Sequence, residues 1–168
     1  FFIDVVNEVK NQTNQKLRFF IIGDGEYKNS IIDYIKEKQL PYSESKDNIK
    51  LITFTSWIKK IDIANSGLDI ICLSSKNEGT PVSLIEAQSS LKPIVSTRVG
   101  GIDNVVIENK TALLSEVGDL KNYSKNLIQL INNPNQRNEF SLAGDHIYKK
   151  YNYERLIKDM NRLYQSLL

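Results

Sequence analysis

The chain has 168 residues, 40% hydrophobic and 25% charged, with a formal net charge of +2. This length fits one domain with a core of its own, and the balance is that of an ordinary soluble globular protein. The small charge gives no argument for nucleic acid or an anionic membrane as the main partner, and no apolar run approaches the ~18 residues that cross a bilayer.

In chain order, residues 2–9 carry apolar side chains at helical spacing. Residues 17–22 are a continuous apolar, β-prone run that stops at Gly23-Asp24-Gly25. Residues 27–39 resume a helical period through Ile31, Ile32 and Ile35. Strand, glycine turn and helix make one βα unit, and the unit recurs. A strand is expected over 49–54 with a short helix over 57–65, then a strand over 68–73 with a helix over 81–90. A short strand over 93–96 leads to a glycine turn at Gly100-Gly101, a helical turn to Ile107 and a last strand over 111–115. Beyond Asp119 only helices are expected, over 120–131, from Pro134 towards Lys150, and over 153–167.

Apolar strands alternating with helices predict an α/β fold, a doubly wound parallel sheet of Rossmann-like type with a helical C-terminal tail. Cys72 lies inside the apolar run 68–73 and reads as a buried, unreactive thiol of a reducing compartment. The pairs Lys59-Lys60 and Lys149-Lys150 read as solvated faces, His146 as an ordinary tail residue, and Tyr148, Tyr151 and Tyr153 as packing of the tail helix.

Ligands of such sheets bind outside the carboxyl ends of the strands, which directs attention to residues 23–25, 55–57, 74–81 and 97–101. The stretch Glu78-Gly79-Thr80-Pro81-Val82-Ser83-Leu84-Ile85-Glu86-Ala87 follows a buried strand and opens a helix. Thr80 suits the N-cap and Pro81 the first helical position. Gly79 suits a close or left-handed backbone at the turn. Val82 and Ser83 then offer backbone N–H groups at the positive end of the helix dipole, an anion site. Glu78 stands before the helix, and Glu86 roughly 8–9 Å along it. Carboxylates repel phosphate, so each is expected to accept hydrogen bonds from hydroxyls at the two ends of a nucleotide sugar whose diphosphate lies between them.

These residues resemble the E-G-x-P-x-x-x-x-E-A signature of glycosyltransferase family 4, retaining enzymes of the GT-B fold. Gly23-Asp24-Gly25 resembles that family's glycine turn, residues 49–58 its V-x-F-x-G-x-V segment, and Leu68-Asp69 its A-D strand entry. Residues 93–101 resemble P-V-V-A-T-x-x-G-G and residues 111–114 T-G-L-L. Ser56 and Ala112 stand where the family usually has glycine.

The resemblance implies that residues 1–168 are a single donor-binding domain, the C-terminal half of a GT-B enzyme. The family's first strand with its Arg/Lys loop, and its acceptor domain, are expected to precede Phe1, and the fragment alone is not expected to turn over. It implies that Glu78 is catalytic, holding hydroxyls of the sugar and stabilising charge at its anomeric centre. Glu86 would bind the ribose, Gly79, Thr80, Pro81, Val82 and Ser83 the sugar and diphosphate, and Trp57 and Ile58 the base. Trp57 reads equally well as packing. The donor is expected to be a UDP-, GDP- or ADP-sugar and the acceptor a glycan or lipid-linked glycan in surface polysaccharide biosynthesis. Neither cofactor nor metal is expected. The location is expected to be cytoplasmic, with the domain expected before Phe1 able to meet the membrane's inner face. A non-catalytic nucleotide-sugar-binding module and a sugar-nucleotide epimerase are the alternatives.

Overall fold

A computed structural model describes residues 1–45 and 47–167, without the side chains of residues 146–148. The calls on His146 and Tyr148 therefore lie outside the described residues. The elements are α1 Phe2–Gln12, β1 Phe19–Ile22, α2 Lys28–Glu37, β2 Tyr42–Ser43 and β3 Ile52–Ser56, followed by α3 Ile61–Ser66, β4 Ile71–Leu73 and α4 Val82–Ser89. Then come β5 Ile94–Thr97, α5 Ile102–Val105, β6 Ala112–Ser115, α6 Leu120–Asn132, α7 Pro134–Tyr148, a 3-10 turn at Lys149–Tyr151 and α8 Tyr153–Ser166.

All strand pairs are parallel, in two three-stranded sheets ordered β1-β3-β2 and β4-β5-β6. Their side chains alternate between two covered faces, as fully apolar parallel strands require. Ile94, Ala112 and Leu114 pack with Leu84 of α4 and Ile102 and Val105 of α5. Val95 and Leu113, pointing the other way, pack with Tyr123, Leu127 and Leu130 of α6 and Val5 and Val9 of α1. The other side of α1, Ile3 and Val6, joins Ile32 and Ile35 of α2 and Ile52 and Phe54 of β3. One amphipathic helix thus belongs to the cores of both sheets. Cys72 of β4 packs on the α1/α6 cluster, and burial pushes its thiol pKa up to about 12. That agrees with an inert thiol.

Several boundaries move. The strands expected from residues 17, 49 and 68 begin at Phe19, Ile52 and Ile71, where a partner strand is available, as in Phe19 opposite Ile52 and Ile71 opposite Ile94. Apolar patterning does not mark where a ladder starts. The two-residue β2 follows Pro41 and is too short to show a period. The helix expected over 57–65 is confined to Ile61–Ser66, because Ser56 takes a left-handed φ of 56° and diverts the chain through a non-helical turn. In the tail, Tyr153 is exposed rather than packed, and so is the stripe Leu156, Ile157, Met160, Leu163 and Tyr164 of α8. No helix among the described residues is long and apolar enough to cross a membrane.

Candidate functional site

Four loops leave the carboxyl ends of β1, β3, β4 and β5, and two of them interlock. After β4 the chain runs from Ser74 to Pro81 before entering α4. The Thr97 hydroxyl at the end of β5 donates to the Ser75 carbonyl at 2.6 Å, and the Ser75 hydroxyl donates to Glu78 Oε1 at 2.6 Å. The Gly101 amide donates to the Glu78 carbonyl at 3.2 Å. A Cβ on Gly100, whose φ is +50°, would fall 1.8 Å from the Glu78 carbonyl oxygen, and one on Gly101 would fall 2.1 Å from that of Gly79. Side chains cannot fit there, so the double glycine lets two backbones nest. Arg98 brackets the same turn, its guanidinium bonded to Asp103 and Glu108, each at 2.6 Å.

Two expectations about this loop are corrected. Gly79 does not have a left-handed backbone, and a Cβ there would meet nothing within 4 Å; the glycine requirement belongs to Gly100 and Gly101, which press on it. The N-cap of α4 is Pro81 rather than Thr80, with no side-chain cap hydrogen bond, and the helix begins one residue later, at Val82. Pro81 is buried, and its carbonyl accepts from the Leu84 and Ile85 amides. Val82 and Ser83 are exposed and their amides find no backbone partner among the described residues. The open amides expected at the helix start are therefore present after the one-residue shift.

Beside this loop lies a cavity of about 340 Å³ lined by Ile22, Gly23, Trp57, Ile58, Lys59, Ile61 and Glu86. It joins three of the expected residues, Trp57 and Ile58 from the loop after β3 and Glu86 from α4. Trp57 is 76% exposed, so it is not packing within the core. Glu86 is held in place through its helix. Two residues on, the buried Gln88 donates from Nε2 to the Leu84 carbonyl at 3.2 Å and to the Val105 carbonyl at 2.7 Å, tying α4 to α5. Glu78, Gly79, Thr80, Pro81, Val82 and Ser83 do not line this cavity; they form the loop and helix start next to it. Lys59, exposed like Lys60 as a solvated pair predicts, is the cationic member of the lining. Ser75 was also missed, and its position three residues before Glu78 was the available signal.

The family model described as glycosyl transferases group 1 matches residues 1–147. The chain belongs to this family. Relatives include the N-acetyl-alpha-D-glucosaminyl L-malate synthase of Bacillus anthracis, 26% identical over 98% of the chain and 42% of its own length. Another is the poly(ribitol-phosphate) alpha-N-acetylglucosaminyltransferase of Staphylococcus aureus, 28% identical over 98% of the chain and 33% of its own length. The capsular polysaccharide biosynthesis glycosyltransferase CapM of Staphylococcus aureus is 26% identical over 90% of the chain and 38% of its own length. The chain thus spans well under half of each of these group 1 relatives. Among solved structures, S. aureus TarM with UDP superposes with a TM-score of 0.81 at 24% identity, covering 97% of this chain and 32% of that one. The C-terminal domain of the group 1 protein LpcC from Francisella tularensis gives 0.74 at 20% identity, covering 90% of this chain and 78% of that one. These likenesses establish the fold as that of the C-terminal half of a GT-B glycosyltransferase.

Proposed function

We propose that this domain binds the donor of a retaining glycosyltransferase, a nucleoside-diphosphate sugar whose sugar passes to a glycan or lipid-linked acceptor in surface polysaccharide assembly. The observation that carries the reading is the cavity joining Trp57, Ile58 and Glu86 beside the free amides of Val82 and Ser83. Trp57 and Ile58 flank the base, and Glu86 accepts from the ribose hydroxyls. The diphosphate lies at the start of α4, where N–H groups and the helix dipole stabilise the charge that grows as the bond to the sugar breaks. Glu78, with Gly79 and Thr80, faces the sugar, and Ser75 holds its carboxylate. Backbone amides do this work here without a metal. The relatives named as N-acetylglucosaminyltransferases and as CapM support the reaction class. HepE of Anabaena, solved with UDP-glucose, has a TM-score of 0.80 at 16% identity and covers 98% of this chain and 44% of its own. It supports the donor class.

Calorimetry with UDP, GDP and ADP and their sugars, on the full-length protein, tests the reading. One nucleotide family should bind and stabilise the fold by mass action, and Glu86→Ala should weaken it about tenfold or more, as expected for a lost charge-assisted hydrogen bond. Absence of binding by every nucleotide would rule the reading out.

A further inference from the structure

We infer that the hydrogen bond between Asp24 and Ser56 is a latch holding the turn Ser56-Trp57-Ile58 in the shape that receives the nucleobase of the donor; the inference rests on the donor-binding reading above. Ser56 is a non-glycine residue with φ 56°, in the left-handed region that side chains avoid. The parallel register between β1 and β3 runs Ile21 opposite Phe54 and then Ile22 opposite Ser56, so it skips Thr55 just before this residue. Irregularities of this kind re-aim side chains at the ends of strands. Here the next residue, Trp57, is thrown outward onto the rim of the cavity.

Locally only the Thr55 hydroxyl, donating to the Ser56 carbonyl at 3.1 Å, bonds Ser56 among the described residues, and the other ties come from the loop opposite. The Ser56 hydroxyl donates to Asp24 Oδ2 at 3.0 Å, and the Gly23 amide donates to the Ser56 carbonyl at 3.0 Å. The other Asp24 oxygen accepts from the Gly25 amide at 2.9 Å. Gly23 itself has φ +117°, a conformation open to glycine and costly for other residues. A left-handed serine and a positive-φ glycine thus brace each other across the end of the sheet. Asp24 does not line the cavity. It acts on the ligand through Ser56 and is a positioning residue. A glycine at position 56 would adopt the same φ unaided, so the latch is the means by which this chain keeps a serine there.

The test is a double-mutant cycle on nucleotide affinity, using whichever of UDP, GDP and ADP the unmodified protein binds most tightly. Asp24→Ala should weaken Kd on the order of fivefold, the equivalent of one ordinary hydrogen bond. In a Ser56→Gly background the same change should cost under about twofold, because the two sites are coupled. Trp57 is the sole tryptophan of the chain, so its fluorescence anisotropy without ligand reports the turn directly. It should fall in Asp24→Ala and stay near the unmodified value in Asp24→Asn, which keeps an acceptor for Ser56; a loss of stability alone does not predict that split. Equal losses of affinity in both backgrounds would overturn the latch, since Asp24 would then act independently of Ser56. Unchanged affinity and anisotropy in Asp24→Ala would overturn it too, while leaving the donor-binding reading intact. If no nucleotide binds the unmodified protein, the donor-binding reading fails and the latch falls with it.

Discussion

The turn after β3 and the loop after β4 leave parallel strands at the same edge of the fold, yet they are held by different forces. The Glu78 loop is pinned by backbone. Gly100 and Gly101 nest against the Glu78 and Gly79 carbonyls so closely that no Cβ fits. The Trp57 turn is held by one backbone bond, from the Gly23 amide to the Ser56 carbonyl, and otherwise by exposed side-chain bonds, from Ser56 to Asp24 and from Thr55 to the Ser56 carbonyl. Backbone contacts tolerate little substitution, whereas side-chain ties can be exchanged one residue at a time. The difference teaches where each kind of requirement sits. The part of the site assigned to sugar and diphosphate is rigidly specified, and the part assigned to the base is the part a single substitution can retune.

The strongest challenge to this contrast is Gly100→Ala. The added methyl has no space, and alanine resists the left-handed φ, so the Glu78 loop must shift. Transfer by the full-length enzyme should fall on the order of 100-fold, the scale expected for an ångström of misplacement at a reacting centre. An activity within a few-fold of normal, in a folded variant, would show that the clamp is idle. Ser75→Ala is milder. It leaves the backbone clamp in place and removes the hydroxyl that donates to Glu78. We expect kcat to fall about tenfold with nucleotide affinity unchanged, and an equal loss of affinity would place Ser75 in ground-state binding instead.

The smallest effect concerns the base side. The Ser56 hydroxyl, the Gly25 amide and, more weakly, the charge of Lys28 hold the Asp24 carboxyl below its ordinary value of 3.8. A carboxylate depressed by folding contributes stability in full above its ordinary pKa and loses it only as pH falls through the lower, folded value. NMR titration of the Asp24 carboxyl carbon should therefore give a midpoint below 3.8. Ser56→Ala should move it upward. A midpoint that Ser56→Ala leaves in place would mean the two groups are not bonded in solution.

The alternation of apolar strands and helices, and the passage from Glu78 to Glu86, were legible in the residues themselves. Period-two and helical patterning act over a few positions, and turn chemistry over fewer still. Parallel pairing with both faces covered followed from strands that are largely apolar, although β3 alternates Ile52 and Phe54 with Thr53 and Thr55. The motif from Glu78 to Glu86 likewise marked the right loop, including the open amides of Val82 and Ser83, although the helix began one residue later than expected. Only the tertiary structure decided which glycines matter, because the need at Gly100 and Gly101 arises from a backbone some twenty residues earlier in the chain. Lys59 is exposed, as a solvated pair with Lys60 predicts, and only the fold shows that it shares a cavity lining with Glu86. Ser56 reads as a small departure until Asp24, 32 residues away, supplies its partner. Local patterning fixes elements; contacts between separate loops depend on how those elements are stacked, and no short-range signal encodes that distance.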